Sequence, residues 1–346
     1  MIKTKWSRRC LMALVSVALA VMPLTAHAAS VDQRLRRMLR DNQVNGIVLV
    51  NGTAGRAHVI SHREVTDRKQ MVRANRLFPV ASFQKLMTGV TVEQLVQSGK
   101  LSLNTPLSRF FPQIPLADQV TIDRMMKHTS GLVNQPRPLK RPLRGERAQL
   151  RYALTGCRST GDFTWHYTDL DFILLAAVIQ QTTHQAYRSY LSHQVLQPAG
   201  VHVCFYDQVK RSAVTPAVGG DWANLYLAMS PELGAGDIFC TPQDYWRFYN
   251  RVLLNDPALL DRFLTHKGKQ GAETYFGGTY IEPPYLHVNG YLAGYSCTLY
   301  SNYQQKRTIM LFANNLSYAQ LRAINSQLYH AYFGDYREEQ ATINAD

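Results

Sequence analysis

Residues 77–90 read Leu77-Phe-Pro-Val-Ala-Ser82-Phe-Gln-Lys85-Leu-Met-Thr-Gly-Val90. An apolar, strand-like lead-in (Leu77, Phe78, Val80) meets a small-residue turn, and a helical pattern then starts at the serine and carries Lys85 on its first turn. Residues three apart on a helix share a face, so hydroxyl and amine lie side by side. A serine hydroxyl is a weak nucleophile until a neighbouring base takes its proton. A lysine can be that base if desolvation by Phe78, Leu86 and Met87 lowers its pKa. The free N–H groups and positive dipole end of a helix start suit an oxyanion forming at the serine. By itself S-x-x-K turns up by chance about once in a chain of this size, so its weight rests on what accompanies it.

Upstream, Lys3, Lys5, Arg8 and Arg9 precede an apolar core from Leu11 to Val21 and the small-residue site Ala26-His27-Ala28. This is the pattern of an export signal over residues 1–28, with an uncleaved anchor as the alternative. The whole chain carries +14; the four cations of residues 1–28, with no acid among them, leave +10 for residues 29–346. In an exported protein nucleic acid is not the expected partner, and an anionic wall polymer or membrane surface is. Cys157, Cys204, Cys240 and Cys297 allow three pairings or none.

Further along, Val31, Leu35, Met38 and Leu39 recur at helical spacing, and Gly46–Val50 ends at Asn51-Gly52, a hairpin signal whose partner strand is Ala57–Ile60. His58 and His62 share a strand face, with no third metal ligand nearby. Thr105-Pro106 and Thr121-Ile-Asp123 read as helix starts, the second leading to His128-Thr-Ser-Gly-Leu132. The basic, proline-containing run from Arg137 to Arg151 reads as a loop, either a solvated face or a contact for an anionic substrate. Trp165-His-Tyr167-Thr-Asp169 stands at the entrance to a buried helix, Phe172–Ile179. Glu232–Gly236 is a turn, and Thr241-Pro-Gln-Asp244 opens another helix. Gly294–Tyr300 and Thr308–Ala313 form a hairpin, and Leu321, Ile324, Leu328, Ala331 and Tyr332 mark an amphipathic closing helix.

Ser82-Phe-Gln-Lys85, His128–Leu132, Tyr167-Thr-Asp169 and the Gly290…Gly294-Tyr-Ser296 segment stand in the order found in penicillin-binding-protein-like serine hydrolases, the group that includes class C β-lactamases, DD-carboxypeptidases and related esterases. The chain resembles this family over about residues 31–334. The resemblance implies an α/β (α+β) fold, an antiparallel sheet flanked by the terminal helices, with the α/β part at about 31–90 and 230–334 and an all-helical part at about 91–229. It implies Ser82 as acylated nucleophile, Lys85 as its deprotonating partner, Tyr167 as proton shuttle, and the backbone N–H groups of Ser82 and Tyr291 as oxyanion hole. No cofactor or metal is implied, and His128–Leu132 is read as structural support.

Two departures from the family bear on substrate. Asp169 stands where the second motif commonly has Asn. Val288-Asn289-Gly290 occupies the third motif, where a Lys or His is usual, and His287 is one residue off, which on a strand turns a side chain to the other face unless a bulge intervenes. A substrate with an ammonium and no carboxylate is then the better match to Asp169, Val288, Asn289 and Gly290. The leading expectation is a D-alanyl esterase of teichoic acids; the others are a DD-carboxypeptidase or β-lactamase-like hydrolase of peptidoglycan peptides or β-lactams, and a wall-binding protein that has lost catalysis. No G-x-S-x-G occurs, which disfavours the nucleophile-elbow hydrolases.

Overall fold

The computed structural model describes residues 31–135, 137–268 and 274–334; the expected export signal lies outside them. In chain order, helix α1 covers residues 31–41, followed by strands β1 (Gly46–Asn51) and β2 (Ala57–His62), and the short β3 (Phe78–Pro79) leads into α2 (Phe83–Gln97). The middle of the chain holds α3 (Ile122–Met126), β4 (Leu132–Asn134), α4 (Glu146–Thr155), β5 (Cys157–Ser159), α5 (Asp169–Thr183), α6 (Tyr187–Tyr190), β6 (Val203–Phe205) and α7 (Trp222–Met229). The last third holds β7 (Ile238–Cys240), α8 (Pro242–Phe248), α9 (Pro257–His266), β8 (Tyr275–Phe276), β9 (Thr279–Glu282), β10 (Tyr285–Leu292), β11 (Tyr295–Asn302), β12 (Arg307–Ala313) and α10 (Tyr318–Phe333).

Seven strands form one antiparallel sheet in the order β2-β1-β12-β11-β10-β9-β8. Period-two alternation gives the sheet two apolar faces. Val48 and Val50 pack with Leu35 and Leu39 of α1 and Leu321 and Leu328 of α10. Ile47 and Leu49 look the other way, into a larger core with Phe78, Phe83 and Phe312. A helix apolar on all sides belongs inside, and α2 and α5 meet that condition: Phe83 to Glu93 and Leu170 to Ile179 are buried without interruption. No helix among the described residues is long and apolar enough to cross a membrane.

The hairpin expected at Asn51-Gly52 does form, β1 pairing with β2 across a link that holds the 3-10 turn Thr53–Gly55, and the Asn51 side chain ties β1 to Lys306, Thr308 and Tyr332. Several local expectations need correction. Thr105-Pro106 yields only the 3-10 turn Leu107–Arg109. Cross-links Leu107 N to Val120 O (2.7 Å) and Ile122 N to Thr105 O (3.1 Å) take backbone groups that a helix would need. The basic run is a loop only as far as Gly145, and Arg147 and Arg151 ride on α4. All four described cysteines are free. His58 pairs with Asp32, His62 pairs with Glu64, and no metal-binding cluster occurs among the described residues.

The sheet reaches α2 through glycines. A Cβ on Gly278 would stand 2.3 Å from Leu86 N, and one on Gly89 would stand 2.1 Å from Gly277 O. The β8–β9 turn thus lies directly on the backbone of α2 at Lys85–Gly89. Gly278→Ala, which adds strain at φ +98 to this overlap, is expected to cost about 3 kcal/mol in denaturant unfolding. Gly55→Ala, also at positive φ but with open space around it, should cost only about 1 kcal/mol.

Candidate active site

The turn between β3 and α2 delivers the nucleophile. Ala81 takes a left-handed φ of +48, unusual for a residue with a Cβ, and this swings the chain from strand to helix. Ser82 occupies the N-cap position but its side chain caps nothing, which leaves Oγ available for chemistry. Two donors meet it: Lys85 Nζ at 2.9 Å and the Tyr167 phenol at 2.9 Å. Tyr167 arrives from the segment just before α5, whose N-cap Thr168 accepts from Leu170 N. The three groups expected from the motifs therefore meet at one oxygen.

Lys85 is 1% exposed. Its three N–H bonds are all used, on Ser82 Oγ, on Asp169 Oδ1 at 2.6 Å and on Ala235 O at 3.2 Å. Here the structure overturns the expectation of a lowered lysine pKa. Burial does push the ammonium down, but the charge of Asp169, joined by Tyr167 and Glu232, outweighs it and raises the pKa above its ordinary 10.5. Lys85 rests as a cation. Tyr167 is raised by burial, with Lys85 lowering and Asp169 raising it further, and stays a phenol that donates to Ser82. The Lys85–Asp169 pair can relay a proton: Lys85 takes one from Ser82 as Asp169 takes one from Lys85.

Behind Tyr167 lies a group that motif reading treats as packing alone. His128 Nδ1 is 2.9 Å from Asp171, and Ser130 donates to the same carboxyl at 2.5 Å. Burial raises the Asp171 pKa and lowers that of His128. The His128 ring lies 4.5 Å from the Tyr167 ring and fixes its plane. Asp171 could have been singled out as a second acid inside an apolar helix. Glu232, within electrostatic reach of Lys85 and Asp169, was read only as part of a turn; a carboxylate next to Leu-Gly-Ala-Gly was the available signal.

The third motif separates by face. β10 pairs with β11 without interruption from Tyr285 to Leu292, so no bulge shifts His287. Its ring stacks on Tyr300 at 4.0 Å and bonds Asn289 and Thr298, and burial pushes its pKa down to about 4. Asn289, expected to bind substrate, shares that face and accepts from Asn325 of α10; it points away from Ser82. Val288 and Gly290 face α2, the former buried, and a Cβ on Gly290 would stand 2.7 Å from Val80 O. No cation of β10 reaches the cleft. The His287 carbonyl points toward β9, where Thr279 Oγ1 donates to it. Strand alternation then aims the Tyr291 N–H the same way, past the point where β9 pairing stops at His287. Outside the helices and strands, the Ser82 N–H makes no backbone hydrogen bond among the described residues.

Because Lys85 is raised, the stability its pairing contributes is complete below the unfolded value of 10.5 and is lost only as pH climbs through the higher folded value. Asp169→Ala leaves a buried cation short of its partner. It should cost about 2 kcal/mol near pH 7, less than a fully buried pair because the Asp169 side chain is 45% exposed. In denaturant unfolding at several pH values, the difference from wild type should stay level from pH 6 to 9.

Residues 31–331 match the family model described as Beta-lactamase. A putative penicillin-binding protein, PbpX, of Bacillus subtilis (strain 168) is 24% identical over 322 residues, covering 86% of this chain and 80% of its own length. A teichoic acid D-alanine hydrolase of Staphylococcus aureus (strain MRSA252) is 26% identical over 300 residues, covering 82% of this chain and 73% of its own length. The crystal structure of a penicillin-binding protein from Bacillus halodurans superposes with a TM-score of 0.69 at 24% identity, covering 84% of this chain and 99% of that one. The uncapped serine, its lysine and its tyrosine, set on this sheet and these helices, are those of a chain that belongs to the Beta-lactamase family of penicillin-binding-protein-like serine hydrolases.

Proposed function

We propose that this protein is an exported serine esterase of the bacterial cell envelope that removes D-alanine from teichoic acid. The observation that carries this reading is the Ser82 oxygen held by both Lys85 and Tyr167 beside the carboxylate of Asp169, with no cation on the cleft face of β10. A peptide ending in D-alanine or a β-lactam brings a carboxylate, which this cleft would meet with Asp169 and the apolar Val288. A D-alanyl ester brings an ammonium and no carboxylate, and charge complementarity favours it. The teichoic acid D-alanine hydrolase at 26% identity supports the same substrate. The polymer is a polyphosphate, suited to the +10 of residues 29–346 and to the exposed Arg137 and Arg141.

The steps follow from the contacts. Ser82 Oγ bonds the ester carbonyl carbon as its proton passes to Lys85 and one Lys85 proton passes to Asp169. The carbonyl oxygen becomes an oxyanion facing the N–H groups of Ser82 and Tyr291. The bond from the acyl carbon to the polyol oxygen breaks, and Tyr167 gives its proton to the leaving alkoxide. Lys85 then reprotonates the phenolate and recovers a proton from Asp169. Water repeats the sequence in reverse on the D-alanyl-Ser82 ester, with Tyr167 as base, and D-alanine leaves.

Purified protein incubated with D-alanylated lipoteichoic acid should release D-alanine, read by a D-amino acid oxidase assay; no release by the wild type would reject the reading. Ser82→Ala should abolish release. Tyr167→Phe should lower kcat by roughly 10²–10⁴-fold, the usual span for a lost general acid.

A further inference from the structure

We propose that Glu232 is the specificity-determining carboxylate of this cleft, the group that pairs with the free ammonium of an aminoacyl ester bound at Ser82; the proposal rests on the esterase reading above.

The turn Glu232–Gly236 is clamped. Ala235 and Gly236 N–H both bond Glu232 O, at 3.0 and 2.9 Å. The Gly234 carbonyl accepts from Thr88 of α2, and a Cβ on Gly234 would stand 2.7 Å from Ala176 of α5. Its last link to the site is Ala235 O on Lys85 Nζ. In this turn Glu232 is half-buried, while Leu233 to Gly236 are fully buried. Its Cβ lies beside the Gly236 backbone, which in turn lies against Ala81, the residue before the nucleophile. A fixed backbone therefore sets the Glu232 side chain beside the segment that leads into Ser82.

That carboxyl has no counter-ion. Among the described residues it makes no hydrogen bond and no ion pair, and Lys85, the nearby cation, has no N–H left to give. The groups facing it are Lys85 of α2, Asp169 at the start of α5, Asp237 just past its own turn and Tyr152 of α4, whose phenol is raised first by burial and then by the Glu232 charge. Burial, Asp169 and Asp237 raise its own pKa against the pull of Lys85. Asp169 already neutralises Lys85, so a cation entering the cleft needs a second carboxylate. Glu232 is that carboxylate, and the arriving ammonium supplies the partner it lacks.

The test uses two esters of one chromogenic alcohol, D-alanyl and propionyl, which differ by the amine alone. Wild type should prefer the D-alanyl ester in kcat/KM, and Glu232→Gln, which removes the charge at nearly constant shape, should reduce that preference about tenfold, through KM. Glu232→Asp should restore part of it. Because the Glu232 side chain holds nothing in place, both variants should keep the wild-type unfolding midpoint, which is measured alongside. A preference that survives intact in Glu232→Gln overturns the role of Glu232 and leaves the esterase reading standing. A wild type that cleaves both esters without preference overturns the ammonium reading itself and the proposal with it.

Discussion

A buried ammonium is the constraint on which this architecture turns. Moving the Lys85 charge out of water costs several kcal/mol unless its donors are matched, and the match is made by three pieces of chain far apart in sequence. Ser82 comes from the head of α2, Asp169 from the head of α5 and Ala235 from the turn before β7. Any shift of one piece leaves an N–H unanswered in an apolar interior. The same contacts that satisfy the cation therefore fix Ser82, Asp169 and Ala235 relative to one another. Stability and reactivity share one set of hydrogen bonds.

The surrounding layers hold those pieces at the required spacing. Behind Ser82, Gln84 locks to Asp237 in both directions, its Nε2 donating at 2.8 Å and its Oε1 accepting from the Asp237 N–H at 2.6 Å. Asp237 is in turn bound by Arg188 and Gln149. In front, Gly89, Gly278 and Gly290 let the sheet approach α2 and the turn before it more closely than a side chain would allow. The helix is gripped by polar bonds on one side and by bare backbone on the other. A helix apolar all round cannot be oriented by amphipathicity, and these two grips orient it.

Much of this was legible in the sequence because it depends on local period and local chemistry. The hairpin signal after β1, the unbroken apolar run of α5, the cap at Thr241 and the S-x-x-K spacing each act within a few residues, and each appears where its pattern placed it. What failed depends on neighbours distant in sequence. The pKa of Lys85 was expected to fall because its sequence neighbours are apolar, whereas Asp169, 84 residues away, reverses the sign. Asn289 was placed in the cleft by motif position, yet the regular β10–β11 register turns it to α10. Asp237, with nothing in its local pattern to mark it, acquires its role only from what the fold sets beside it.

The two departures from the family motifs are one electrostatic change and not two. A lysine on the cleft face of β10 would stand across the nucleophile from Lys85, and a site with two cations favours a substrate carboxylate. Replacing that lysine by Val288 removes a positive charge, and replacing the second-motif Asn by Asp169 adds a negative one; both move the cleft in the same direction. Asp169 alone does not make the cleft anionic, because Lys85 cancels it at 2.6 Å. Glu232 adds a further acidic group, and its carboxyl is pushed toward the neutral form first by burial and then by Asp169, against the pull of Lys85. Its side chain anchors no part of the fold. A charge that holds no part of the fold together, on a turn clamped from both sides, is accounted for by what enters the cleft.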